Sequence, residues 1–238
     1  MEAESKVIHF LGLDFSVPVL VSTSVTCLLI LIFCILASRK TGIRPSKLQN
    51  AFEYIIDFAK GIIKGSMEWK DGKAYHLFIF TLFTFIFVAN IIGLAVFIHF
   101  GEESFFSSPT ASPIVCLALS LMIALITHYS GVEKMGFKGY IKNSFLSPAA
   151  FILPIKIIEE FTNVITLAFR LYGNIFAGEV LLSLIVMLAA SSGIITGVVS
   201  IPLAIIWQGF SVAIGLLQAF VFCTLSMVYI SHKIEHEG

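Results

Sequence analysis

Leu167–Leu182 reads LAFRLYGNIFAGEVLL, an apolar helical pattern that carries an arginine, Arg170, and a glutamate, Glu179. The same pattern extends from Pro148 to about Ala190 and also holds Lys156, Glu159 and Glu160. As one helix rising 1.5 Å per residue it would reach roughly 60 Å, about twice the ~30 Å hydrocarbon core of a bilayer. Such a segment must tilt steeply, bend, or lie partly in the membrane plane. An arginine in hydrocarbon costs at least ~2.5–3.5 kcal/mol, and more without a partner or water. A functional role is therefore the default reading of Arg170.

The composition agrees. Of 238 residues, 58% are hydrophobic and 13% charged, and the mean hydropathy is +0.96. Soluble domains carry about 25% charged residues, so the chain reads as an integral membrane protein. Its formal net charge is zero, which gives no argument for a nucleic-acid partner. The N-terminal MEAESKVIHF lacks a basic n-region and a cleavage site, so the first span is expected to insert uncleaved. Cys27, Cys34, Cys116 and Cys223 all fall in apolar runs without CxxC spacing and read as small hydrophobes.

Outward from the central stretch, the pattern predicts an all-α protein of about five membrane crossings plus one interfacial helix, in a single membrane domain. Residues 1–16 form an external N-terminus and 17–37 the first span. Over 46–66, Leu48, Phe52, Ile55, Ile56, Ala59 and Ile63 share one face, opposite Lys47, Asn50, Glu53, Asp57, Lys60 and Lys64; this reads as a helix lying along the membrane surface. Residues 76–100 form the second span, with Asn90 inside it. The third, 114–130, is short, and a loop over 131–147 bears Lys134, Lys138 and Lys142. Two long tilted helices follow, 148–190 and 194–231, joined by a tight turn at Ser191–Gly193; Pro202 and Gly209 are expected to interrupt the second. Arg39 to Lys73 holds eight Lys/Arg, and the connections at 102–113 and 191–193 hold none. The positive-inside rule then sets the N-terminus outside and the C-terminus in the cytoplasm.

At 100° per residue, Glu159, Asn163, Thr166, Arg170, Asn174 and Ala177 lie within about 40° of a common direction, a polar stripe on an apolar rod. Glu179 lies about 180° from Arg170 and serves a different neighbour. The last segment has its own stripe: Ser211, Gln218, Tyr229 and His232. Folded as an antiparallel hairpin, the two segments place Arg170 beside about Ile214, with Gln218 a turn away, and Glu179 near Ile205–Gln208. Glu159, Tyr229 and His232 then lie toward the cytoplasm. Arginine does not release its proton at any accessible pH, so Arg170 is a fixed positive barrier rather than a carrier. A carboxylic acid passing near it would be pushed to ionise. Polar groups on either side of that barrier would make two offset half-channels, with the mobile carrier on a partner subunit.

Plainer readings stand beside these. Lys156, Glu159 and Glu160 have the spacing of an interfacial ion-pair cluster. Asn163, Thr166 and Gln218 could bond neighbouring helices. Tyr229 and His232 could be interfacial anchors. Asn90 and His99 read as structural or interfacial. His232–His236 matches H-x-x-E-H, but it sits at the chain end with no clear third ligand, so no metal and no cofactor is assigned.

The run Leu167–Glu179, LAFRLYGNIFAGE, resembles the signature of subunit a of F-type, rotary ATP synthases, in its bacterial form. Leu217–Phe222, LQAFVF, resembles the matching motif of that family's last helix. The likeness is strong over 148–231. It implies a stator subunit of the membrane sector, not catalytic alone, pressed against a ring of c subunits that each bear an essential carboxylate. Peripheral-stalk b subunits, the rest of the complex and membrane lipid are the other implied partners, and a bacterial plasma membrane the implied location. Arg170 matches the family's invariant arginine, Asn174 the asparagine after it, Glu179 the half-channel acid and Gln218 the glutamine beside the arginine. Some members carry a histidine where Ser211 stands and a basic residue where Asn163 stands. The alternatives are a stand-alone secondary transporter using Arg170 to bind an anion, an intramembrane peptidase, and a scaffold. The sequence shows neither the internal repeats of the first nor a phosphate-binding glycine loop.

Overall fold

A computed structural model of the chain describes residues 7–10, 13–39, 42, 45–95, 108–142, 144, 150–191 and 193–234. Two short strands, β1 (Val7–Phe10) and β2 (Leu13–Ser16), pair antiparallel with Val7 opposite Ser16. Seven helices follow: α1 (Val17–Ser38), α2 (Lys47–Ser66), the short α3 (Trp69–Gly72), α4 (His76–Ala95), α5 (Pro113–Ile141), α6 (Leu153–Ser191) and α7 (Ile194–Ile234). Five of these stretches are long and apolar enough to cross a membrane. The β-hairpin has no counterpart in the sequence reading, which left residues 1–16 without secondary structure.

α2 forms because Ser46 caps it, its side chain accepting from the Gln49 amide at 3.3 Å, and because one face is apolar. Phe52, Ile55, Ile56, Ala59 and Ile63 on that face pack into the core against α4 and α7, while Leu48 stays 50% exposed. His76 Nε2 lies 3.2 Å from the Ile56 carbonyl oxygen, and Trp69 packs edge-on to His76 under the Lys60 ammonium. At the far end, Ser231 Oγ donates to the Ser66 carbonyl at 3.0 Å, tying the close of α7 to the close of α2.

The most extensive packing joins α6 to α7, and α5 lies against both. Gly193, with φ 101°, makes the turn between them, a left-handed conformation that glycine adopts without steric cost. Trp207 Nε1 donates to the Gly178 carbonyl at 3.2 Å and fixes their register. α7 runs on through Pro202 and Gly209, so the expected interruption is absent; the proline removes a donor without ending the helix. The loop expected over 131–147 is likewise helix as far as Ile141, bent at Gly136, whose φ of 73° breaks the helical backbone.

A buried polar network locks α7 to α4. Asn90 Nδ2 donates to the Gly215 carbonyl at 3.1 Å, and Thr110 Oγ1 donates to Asn90 Oδ1 at 3.0 Å. Ser108 Oγ lies 2.9 Å from Thr110 Oγ1 and donates to the Ala89 carbonyl, while Cys116 Sγ donates to the Thr110 carbonyl. Thr110 and Asn90 are almost wholly buried, so each bond replaces one to water. Asn90→Ala removes an acceptor and a donor at once and is expected to cost about 1–3 kcal/mol. Thermal unfolding of the detergent-solubilised chain measures it; an unchanged midpoint would contradict the network.

Candidate functional site

A cavity of about 530 Å³ opens between α5, α6 and α7. Three helices build it because small residues face it from α5 while charged ones face it from the other two. Ser120, Ala124 and Thr127 come from α5; Lys156, Glu159, Glu160 and Asn163 from the first turns of α6; Tyr229, His232 and Lys233 from the end of α7. Four residues singled out in sequence, Glu159, Asn163, Tyr229 and His232, thus share one wall. Val164 and Leu167 line the inner end.

The ion pairing differs from the expected Lys156–Glu160 cluster. Glu160 Oε1 pairs with Lys233 of α7, and Glu160 Oε2 lies 4.0 Å from His128 Nε2 of α5. Helical spacing brings Lys156 to the same face as Glu160, but the cation of the neighbouring helix takes the carboxylate. Periodicity marks Glu160 only as part of that cluster, and it gives no sign of Lys233 and Thr127 on the cavity or of His128 beside Glu160. Thr127, 3% exposed, lines the cavity, and its Oγ1 has no hydrogen-bond partner among the described residues.

Arg170 lies one turn beyond Leu167, outside the cavity lining. It is exposed on α6, with no ion pair or hydrogen bond among the described residues, and its charge reaches Tyr229. Phe169 and Phe176 beside it are 59% and 50% exposed. From the Gly178–Trp207 contact, eight residues back along α6 and eight on along α7 set Arg170 level with Gly215, one residue from the expected Ile214. Gln218 is then one turn away, as expected, with no hydrogen bond joining the two among the described residues. Asn174 and Glu179 are half-buried farther along α6, and Glu179 falls at the level of Ile206. Ser211 and Gln218 are each 8% exposed, and neither Ser211 Oγ nor Gln218 Nε2 has a partner among the described residues. The nine expected site residues therefore divide into a cavity group of four and a group of five around and beyond Arg170. His99, and Glu235 and His236 of the H-x-x-E-H match, lie outside the described residues.

Fold and site together define a multi-pass α-helical membrane protein with a polar cavity between its last three helices and a lone cation beyond the cavity's inner end. Residues 20–231 match the family described as ATP synthase A chain. The chain is 46% identical over 237 residues to ATP synthase subunit a of Listeria monocytogenes serotype 4b, covering 100% of both chains. It is 47% identical over 238 residues to ATP synthase subunit a of Enterococcus hirae, again covering 100% of both. It is 48% identical over 229 residues to ATP synthase subunit a of Pediococcus pentosaceus, covering 96% of each. The chain belongs to the ATP synthase subunit a family.

The cavity's polar wall is expected to be wet. With the native cysteines replaced by alanine, Asn163→Cys should react with a charged, membrane-impermeant maleimide, and Leu171→Cys, fully buried, should stay unlabelled. Equal labelling of the two positions would contradict a water-filled cavity.

Proposed function

We propose that this chain is the proton-translocating stator subunit of a rotary ATP synthase membrane sector in a bacterial plasma membrane. It works against a ring of c subunits, is held by peripheral-stalk b subunits, and catalyses nothing by itself. The observation that carries the reading is Arg170: exposed on α6, set among apolar side chains, and unpaired among the described residues. A guanidinium left so in hydrocarbon costs at least ~2.5–3.5 kcal/mol, so a partner from outside the chain must meet it. A carboxylate is the natural match, because guanidinium and carboxylate form bidentate, charge-assisted hydrogen bonds.

The steps follow from charge. A ring carboxyl that turns toward Arg170 is driven to ionise, since a neighbouring cation favours the charged form. Arg170 cannot accept the released proton, and a fixed positive charge repels any proton from crossing its level. The proton leaves by a polar path on one side only. The cavity lined by Glu159, Asn163, Tyr229 and His232 serves as the cytoplasmic half-channel. Glu179, Asn174 and Ser211 serve the half-channel on the other side, and Gln218 stands beside the arginine at the seam. Rotation of the ring carries the proton between the two dead ends. The positive-inside pattern sets the C-terminus in the cytoplasm.

Arg170→Ala removes the barrier without a new clash. It is expected to lower gradient-driven ATP synthesis by about 100-fold or more, in the range for losing one preorganised electrostatic group. Synthesis in reconstituted vesicles, with the chain's presence checked in the purified complex, measures this; normal coupled synthesis would end the reading.

A further inference from the structure

His128 sits outside the path just described, yet a chain of hydrogen-bonding groups leaves the cavity wall, passes through it and returns. Gly136, with φ 73°, turns the end of α5 back on itself. Tyr140 then lies over Gly131, where a Cβ would come within 2.5 Å of its ring. The Tyr140 hydroxyl meets His128 Nδ1 at 2.5 Å, and Ser144 hydrogen-bonds the same hydroxyl. On its other side His128 Nε2 faces Glu160 Oε2 at 4.0 Å, and Glu160 pairs with Lys233. Ser144, Glu160 and Lys233 all line the cavity. Both ends of the series Ser144–Tyr140–His128–Glu160 therefore open on the same space.

We propose that His128 is a proton-exchange group of this cavity, taking protons from it and returning them through Tyr140 and Glu160. The proposal rests on the reading that the cavity conducts protons. A cluster that only fastened α5, α6 and α7 together would need no titratable ring. Imidazole is the one side chain whose ordinary pKa places its charge change between about pH 5 and 8. A tyrosine hydroxyl donates and accepts in turn, so the series runs in either direction. In the tautomer that accepts the Tyr140 hydrogen at Nδ1, Nε2 carries the ring's own hydrogen toward Glu160. A proton reaching the Tyr140 oxygen by way of Ser144 sends the hydroxyl hydrogen on to Nδ1. The Nε2 hydrogen then leaves toward Glu160 or cavity water, so one proton enters and one departs. Exchange with water at both nitrogens resets the tautomer. The charged and titratable groups beside the ring are Glu160 from α6, Lys233 from α7 and Tyr140 on its own helix, and Glu159, Lys156 and His232 line the cavity with Glu160. Lys134, farther along α5, is held by Asp71 of α3 at 3.1 Å.

The intact complex in inside-out membrane vesicles provides the test, with ATP-driven acidification followed by a pH-sensitive dye. His128→Gln keeps hydrogen-bonding capacity and cannot titrate. It is expected to lower proton flux about 3- to 10-fold, less than the ~10²–10⁴ of full general acid–base catalysis because water offers a parallel path. Added imidazole, small enough for the cavity, is expected to restore the flux. Unchanged flux overturns the proposal, and so does a loss that imidazole leaves untouched, which assigns His128 to packing. If His128→Gln does not assemble, Tyr140→Phe decides: flux should fall and recover in imidazole, and full flux or no recovery overturns the proposal. Arg170→Ala in the same vesicles keeps the two ideas apart, because coupled pumping there defeats the reading of the whole chain, while the His128 result bears on the wire alone.

Discussion

A guanidinium keeps its charge at every pH a cell meets, and a bilayer interior offers it neither water nor counterion. Most buried ionisable groups escape such a conflict by losing their charge, which a lysine or glutamate can do and an arginine cannot. Arg170 is therefore tolerable only if its surroundings are arranged for it. The other features of the chain can be derived from that requirement. The helix that carries it must be held in place by its neighbours, yet must leave one flank open to whatever supplies the opposite charge. α6 meets both conditions: Leu167, Ala168, Leu171 and Ile175 are buried against the body of the protein, while Phe169, Arg170 and Phe176 face away.

Holding α6 is the task of α7, and holding α7 is shared by the rest. At 39 and 41 residues the two helices run about 60 Å each, longer than a perpendicular crossing needs, so they must slant. Long helices in contact could slide by a turn, and the indole of Trp207 on the Gly178 carbonyl specifies one register. The Asn90–Gly215 bond then fixes α7 against α4 at the level of Arg170 itself. Near the C-terminal end of α7, Ser231 on the Ser66 carbonyl does the same against α2. Each of these is a polar contact in an apolar setting, where specificity comes from the cost of leaving the group unpaired.

Much of this was readable in the residues, and the boundary has physical causes. Apolar length marks the five helices long enough to cross a membrane, the apolar face over Leu48–Ile63 marks α2, and a count from the Ser191–Gly193 turn puts Arg170 one residue from the level that the Trp207–Gly178 contact sets. What failed depended on tertiary contacts. The lysines at 134, 138 and 142 look like a loop because their charge outweighs their helical spacing, and Gly136 is needed to bend the helix there. Lys156 looked paired to Glu160 because same-helix neighbours are visible in sequence, whereas Lys233 lies on another helix. His128 and Thr127 carry no local signal: in an apolar span, a threonine comes to line the cavity and a histidine comes to face Glu160 only when α6 and α7 pack against α5.

Among the described residues, three buried polar side-chain atoms have no partner: Thr127 Oγ1, Ser211 Oγ and Gln218 Nε2. Such an atom costs about 1–3 kcal/mol if nothing meets it, so each one points to a place that water or another molecule must reach. Thr127 is among the residues that line the cavity. Ser211 and Gln218 lie on α7 on either side of the level of Arg170, away from that cavity. Neither lines that cavity, so whatever satisfies them reaches α7 elsewhere. Thr127 and the pair on α7 therefore mark two separate demands for polar partners, one beside the cavity and one at the levels flanking Arg170.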